Sequence, residues 1–241
     1  MNNNIIPKFI MAAQPKEKID IPDFFIESED NVFFEKLRKP TYLRYMGWNL
    51  LTLDYPKIKN GTYWEVKNGD RKTIKLYRDG ALVAIGDADE EFLGWGANSH
   101  DKYVEYPNLL ALALIEYVYE FVELYKIFIE KFPEIKNILI KFGFKNVDTW
   151  DGKRLILKPR EVGALVMPSW DNEERNFINK DFISEISVVV ENNTYNSQVV
   201  AYRIVSEIFT AFNISVDKIP YITENESGQK VIDIEKIKKI G

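Results

Sequence analysis

The chain has 241 residues, 46% hydrophobic and 14% aromatic, which is enough apolar material for a sizeable core and too much for an unfolded chain. A formal charge of −5 argues against attraction of nucleic acid by the whole surface, although a local basic face remains compatible with it. There is no cysteine and only one histidine, His100, which excludes disulfides, zinc–thiolate sites, thiol nucleophiles and two-histidine metal motifs.

The first residues, "MNNNIIPKFIMAAQPKEK", lack the basic start of a signal peptide, and Pro7 and Lys8 interrupt the apolar run. With three prolines and no clear period, residues 1–28 are expected to form an extended arm. Residues 29–241 contain no repeat or Gly/Ser linker and are expected to form one α+β domain. Ser28 is placed to cap a short helix over 29–38, which Pro40 stops, and "YMGWNLLTLDYP" reads as a strand.

An antiparallel meander is expected over residues 61–86. Trp64 and Val66 share one face of its first strand, Ile74 and Leu76 one face of the second, and Val83 and Ile85 one face of the third. Asp79-Gly80 predicts a two-residue type I′ turn, which sets Leu76 opposite Val83 and Ile74 opposite Ile85. A three-residue loop over Asn68, Gly69 and Asp70, or a bulge, sets Trp64 opposite Ile74.

A long helix is predicted over about 107–131, ended by Pro133, with Glu116, Glu120, Glu123 and Glu130 as its few acidic groups. Leu112, Ile115, Tyr119 and Val122 supply a core stripe. The charges in its apolar segment, Glu116, Glu120, Glu123 and Lys126, argue against a membrane span, so a soluble, cytoplasmic protein is expected. Strands follow at 135–142, 153–158 and 183–191. "NSQVVAYRIVSEIFTAF" is a second helix with an apolar stripe of Ala201, Ile204, Val205, Ile208, Phe209 and Phe212. A short helix or strand from Val231 follows. The fold class expected is α+β: an antiparallel meander and further strands packed on two main helices.

Three stretches carry candidate chemistry. In "LYRDGALVAIGDADEEFLGWGANSHD", Asp87, Asp89, Glu90 and Glu91 are close in sequence and lack the pattern of a calcium loop, so a solvated loop is expected. Trp95, between Gly94 and Gly96, reads as an anchor to the core, and His100 as a loop histidine. Second, Glu65-x-Lys67 on one strand face with Asp54 upstream matches the carboxylate–lysine set of magnesium-dependent nucleases, though alternating charge also marks any wet strand. Third, the outer meander face gathers Tyr63, Lys67, Arg71, Lys75 and Tyr77, a mix of cations and aromatics that can hold phosphates and stack bases, or can simply face water.

The stretches "RKPTYLRYMGWNL" at 38–50, "LYRDGALVAIGDADEEFLGWG" at 76–96, "VAYRIVSEIFTAF" at 200–212 and "IPYI…KVIDIEKI" at 219–237 together resemble a region that follows the divergent Alba (Schlafen-like) domain, a predicted DNA-binding domain, in some bacterial proteins. The resemblance covers about residues 38–240, and residues 1–37 do not look like the Alba domain. Its motifs are architectural and transfer no active-site residue. The nucleotide or DNA contacts that it implies lie mainly in the Alba domain, which leaves open an accessory fragment or a free-standing relative. The expectation is therefore a non-enzymatic binding or regulatory module that recognises a protein partner or nucleic acid through Tyr63, Lys67, Arg71, Lys75, Tyr77 and Trp95. No cofactor or metal is implied. The alternative is a magnesium-dependent phosphodiesterase using Asp54, Glu65 and Lys67.

Overall fold

The structure is a computed structural model that describes residues 6–21, 43–44, 57–59, 62–89, 91–94, 108–148, 154–159 and 176–240. The predicted helix at 29–38 and strand at 45–56 lie outside these residues. The fold is α+β. Its main sheet has seven strands in the order β10-β7-β1-β5-β4-β3-β2: β1 (Lys8–Pro15), β2 (Lys57–Lys59), β3 (Tyr63–Asn68), β4 (Lys72–Tyr77), β5 (Leu82–Asp87), β7 (Asn137–Lys145) and β10 (Phe182–Val189). Every neighbouring pair is antiparallel. A second, three-stranded sheet sets β6 (Asn108–Leu110) parallel to β8 (Leu155–Lys158) and β8 antiparallel to β9 (Phe177–Ile178). β11 (Ile222–Glu224) and β12 (Lys230–Ile232) form a hairpin.

Residues 8–15, expected in an arm, form an interior strand of the main sheet, between β7 and β5. β1 reads as aperiodic because both its faces are at least half-covered: Phe9, Met11 and Ala13 enter the core, and Lys8, Ile10 and Ala12 on the other face are half-buried. A strand enclosed on both sides loses the polar alternation that would reveal it.

The meander forms, but both turns differ from expectation. Tyr77 N–H donates to the Ala81 carbonyl at 2.8 Å, and Gly80 N–H to the Tyr77 carbonyl at 3.0 Å. The loop is thus Arg78, Asp79 and Gly80, with Gly80 at φ +79°. Leu76 pairs with Leu82 and Ile74 with Ala84. This odd-length loop sends Leu82 and Ala84 to the core, while Val83 and Ile85 lie half-buried on the outer face. In the first hairpin Asn68 pairs with Lys72 around Gly69, Asp70 and Arg71, and Trp64 stands opposite Leu76 rather than Ile74. That slip moves the pairing by two residues, so the faces survive.

Helix α1 (Ala111–Ile129) begins directly after β6 and is shorter than predicted at both ends. It is enclosed almost all round: Leu112, Ile115 and Val122 are fully buried, and Tyr119 is half-buried. Helix α2 (Ser197–Ala211) starts where the Asn196 side chain accepts the N–H groups of Gln198 and Val199 at 3.0 and 3.1 Å. It ends through Asn213 at φ +58°, with Ile214 N–H donating to the Phe209 carbonyl and Asn213 N–H to that of Thr210, a Schellman closure. All six residues of its predicted stripe are buried.

α1 and α2 pack together over the sheet. The rings of Tyr117, Phe9, Phe144 and Phe212 run in contact from α1 through β1 and β7 to the end of α2, with successive centroids 6.0, 4.9 and 5.5 Å apart. Tyr195 donates its hydroxyl to the Val122 carbonyl at 2.6 Å and ties the start of α2 to α1. Helix α3 (Ile234–Lys238), capped by Asp233, follows β12. Among the described residues no helix is long and apolar enough to cross a membrane.

Candidate partner-binding face

β3 and β4 bring four of the predicted site residues together on the outer face. Tyr63 and Tyr77 stand opposite each other, ring centroids 5.0 Å apart. The Lys75 ammonium lies 4.9 Å from the centre of the Tyr63 ring. Between them sits Glu65, whose side chain is only 6% exposed. Lys67 approaches its Oε1 at 3.7 Å, and Lys75 its Oε2 at 3.9 Å. The pattern follows from the strand period: residues of odd number in β3 and β4 share this face. The buried carboxylate offsets one of the two lysine charges and leaves the tyrosine rings as the main contact surface.

Arg71 does not join them. It occupies the turn between β3 and β4 and binds Glu91, Nη2 to Oε2 at 2.5 Å and Nη1 to the backbone carbonyl at 3.3 Å. Trp95, Asp54 and His100 lie outside the described residues. Glu65 and Lys67 do share a face, as the nuclease pattern requires. Among the described residues no group of three or more His, Cys, Asp or Glu side chains is placed to hold a metal ion.

The acidic run after β5 is not simply solvated. Asp87 and Asp89 are each 4% exposed. Lys8, directly across from Asp87 on β1, binds its carboxylate. Burial pushes the Asp87 carboxyl up, against the pull of the Lys8 ammonium. Asp89 accepts the Glu91 N–H on its side chain at 3.0 Å, and its backbone carbonyl takes the Gly94 N–H at 2.6 Å. Here Gly94 is required by space: a Cβ would lie 1.8 Å from the Asn108 carbonyl oxygen. Of the described members of the run, Glu91 is the exposed one.

The opposite side of the same strands holds a second charged group that the sequence reading passed over. Lys72 has the parity of Ile74 and Leu76, so it points inward and is 5% exposed. Its ammonium lies 5.6 Å from the Phe92 ring centre, beside a cleft of about 210 Å³ lined by Gly69, Asp70, Arg71, Lys72 and Phe92. Burial lowers its pKa to about 8, and the Glu120 carboxylate pulls the other way. On α1, Glu120 accepts the Leu43 N–H at 3.3 Å. One turn earlier, fully buried Glu116 accepts Arg44 Nε at 2.7 Å, an ion pair in which the arginine side chain is 7% exposed. Two signals for this cluster were present: the parity of Lys72, and two glutamates four apart on a helix otherwise nearly all apolar.

No protein-family model matches the chain, and no curated protein or solved structure is similar enough to count as a match.

Proposed function

We propose that the protein is a non-enzymatic binding module that receives a protein partner on the outer face of β3 and β4, around Tyr63, Tyr77 and Lys75. The observation that carries this reading is the half-buried Tyr63–Tyr77 pair with Lys75 over one ring and Glu65 beneath both lysines. Tyrosine supplies large contact area at small entropic cost and is enriched where proteins meet. A face built for a polyanion would keep its cations open. Here Lys67 and Lys75 lean on Glu65 and Arg71 on Glu91, within a chain of net charge −5. The resemblance to a region beside the divergent Alba domain is in keeping with an accessory or regulatory role.

The test pairs capture from lysate by the wild type with capture by the Tyr63→Ala/Tyr77→Ala protein, alongside titration of short single- and double-stranded oligonucleotides. A specific protein captured by the wild type and lost by the double variant is expected. Salt-dependent oligonucleotide binding that Lys67→Glu/Arg71→Glu/Lys75→Glu abolishes would replace the reading with a nucleic-acid one. Magnesium-dependent cleavage lost in Glu65→Ala would replace it with the phosphodiesterase.

A further inference from the structure

The far end of the sheet poses a separate question. β10 is its last strand, hydrogen-bonded to β7 on one side, and among the described residues no strand lies on the other. Just past β10, Val190 N–H donates to the Lys136 carbonyl on the β7 side at 2.8 Å. Backbone groups alternate sides along an antiparallel strand, so the even-numbered residues of β10 bond β7. Ile183, Glu185, Ser187 and Val189 therefore turn their N–H and C=O groups to the open edge. The Ser187 carbonyl agrees with this, since it accepts Arg203 Nη2 from α2 at 3.3 Å.

The side chains of these four residues stand on the outer face. Ile183 is 50% and Val189 63% exposed, two of only three large apolar side chains so exposed among the described residues. Open edges are usually protected by lysine, proline or a bulge against pairing with another chain. Along β10 the one charged side chain is Glu185, which is engaged by Lys141 of β7 at 3.5 Å.

We infer that β10 is a self-recognition edge, at which two copies of this chain pair antiparallel about a two-fold axis through Ile186 and join their seven-stranded sheets. The register follows from the side chains. Outward-facing residues must meet outward-facing residues, so the axis passes through a residue and not between two. Centred on Ile186, the pairing sets Ile183 opposite Val189 of the second copy and Glu185 opposite Ser187, each twice by symmetry. Centred on Glu185, it sets two carboxylates face to face. Centred on Ser187, it sets Ile183 against Glu191 and Glu185 against Val189. Only the first register matches the two exposed apolar groups and keeps the acids apart. The edge groups of Ile183, Glu185, Ser187 and Val189 then bond across the axis, and Arg203 releases the Ser187 carbonyl.

The absence of native cysteine makes the register directly readable. In Ile183→Cys/Val189→Cys the two new thiols come from directly opposed residues, whose Cα separation of about 5.5 Å suits a disulfide. Within one strand they are about 20 Å apart, too far to bridge. Mild oxidation should give a disulfide-linked dimer of the double variant. Each single variant should remain uncrosslinked, because its thiol sits about 20 Å from its copy. Light scattering of the unmodified protein over a dilution series should move from the 28.2 kDa monomer towards twice that mass as concentration rises. Ile183→Lys/Val189→Lys should hold the monomer mass with unchanged circular dichroism and with the melting temperature of the wild type at its most dilute, since both positions are exposed. A wild type that is monomeric at every concentration overturns the inference. So does a dimer indifferent to the lysines, or single-cysteine variants that crosslink as well as the double.

Discussion

Lys72 and Lys75 stand three residues apart on β4 and therefore point to opposite faces. Lys75, a quarter exposed, shares the Glu65 carboxylate with half-exposed Lys67 over loose contacts of 3.9 and 3.7 Å, for which side-chain ordering offsets much of the gain. Lys72 is enclosed with the acids of α1, and its charged form is disfavoured enough to bring its pKa to about 8. The same residue type on one strand thus contributes little on one side and stores a large pH-dependent energy on the other. Parity and enclosure decide the difference, and the identity of the side chain does not.

The sharpest way to break this comparison is at Glu116. Its removal leaves the enclosed Arg44 guanidinium without its carboxylate, so Glu116→Ala should cost about 3–5 kcal/mol in chemical denaturation. A loss near that of a surface pair would show that the inner face is as wet as the outer one.

The next test reads pH. Lys72 binds its proton less tightly in the fold than in the unfolded chain, where the ordinary value is 10.5. Between about pH 8 and 10.5 the unfolded state therefore holds more protons, and stability rises with pH. The contribution is full above the upper value and lost as pH falls through the lower. Wild type should gain about 2–3 kcal/mol on Lys72→Met between pH 7 and 10, measured by urea midpoints. Above about pH 10 both proteins should weaken, because burial holds the phenols of Tyr117, Tyr125 and Tyr195 protonated in the fold. A flat difference across this range would place Lys72 in water.

Gly80 tests the turn that sorts residues between the faces. At φ +79° a β-branched side chain is strained, and its Cβ would come within 2.4 Å of Ile19 Cδ1. Gly80→Val should lower stability by about 1–3 kcal/mol in thermal or urea unfolding. The smallest effect belongs to the outer face. Lys67→Ala should fall within about 0.5 kcal/mol of wild type, because Lys67 is half-exposed and its pair with Glu65 is loose. A larger cost would mean that the Glu65 group is a structural network as tight as the inner one.

The same parity explains what was legible beforehand. The meander, both main helices and the stripe of α2 follow from hydrophobic period, and so does the gathering of Tyr63, Lys67, Lys75 and Tyr77 on one face. Asp79-Gly80 signalled a hairpin correctly. A two-residue and a three-residue loop both place a glycine at positive φ, however, and the choice between them sends Val83 and Ile85 to the core or away from it. Lysine is a poor core residue, yet the parity that Lys72 shares with Ile74 and Leu76 fixes its inward direction. Asp87 and Asp89 looked solvated because their partners come from elsewhere: Lys8 is far away in the chain, and the Asp89 bonds arise only when the backbone turns on itself. Strand parity puts Arg71 on the outer face, but the three-residue loop sits one residue later than expected, over Gly69, Asp70 and Arg71, and takes it into the turn.

The position of β1 governs how the chain reaches this state. β3, β4 and β5 close by short loops, so that meander is available to a partly formed chain within microseconds. β1, by contrast, pairs Lys8 with both Asp87 and Lys145 and, among the described strands, joins that meander to the β7–β10 pair. Its insertion closes the longest loops in the sheet, and such non-local pairing is slow. Until it happens, β5 and β7 each present a bare edge. Of the strands of this sheet the earliest in sequence is thus the last to find both its neighbours, and refolding speed should answer to Phe9 and Met11 more than to any residue of the hairpins.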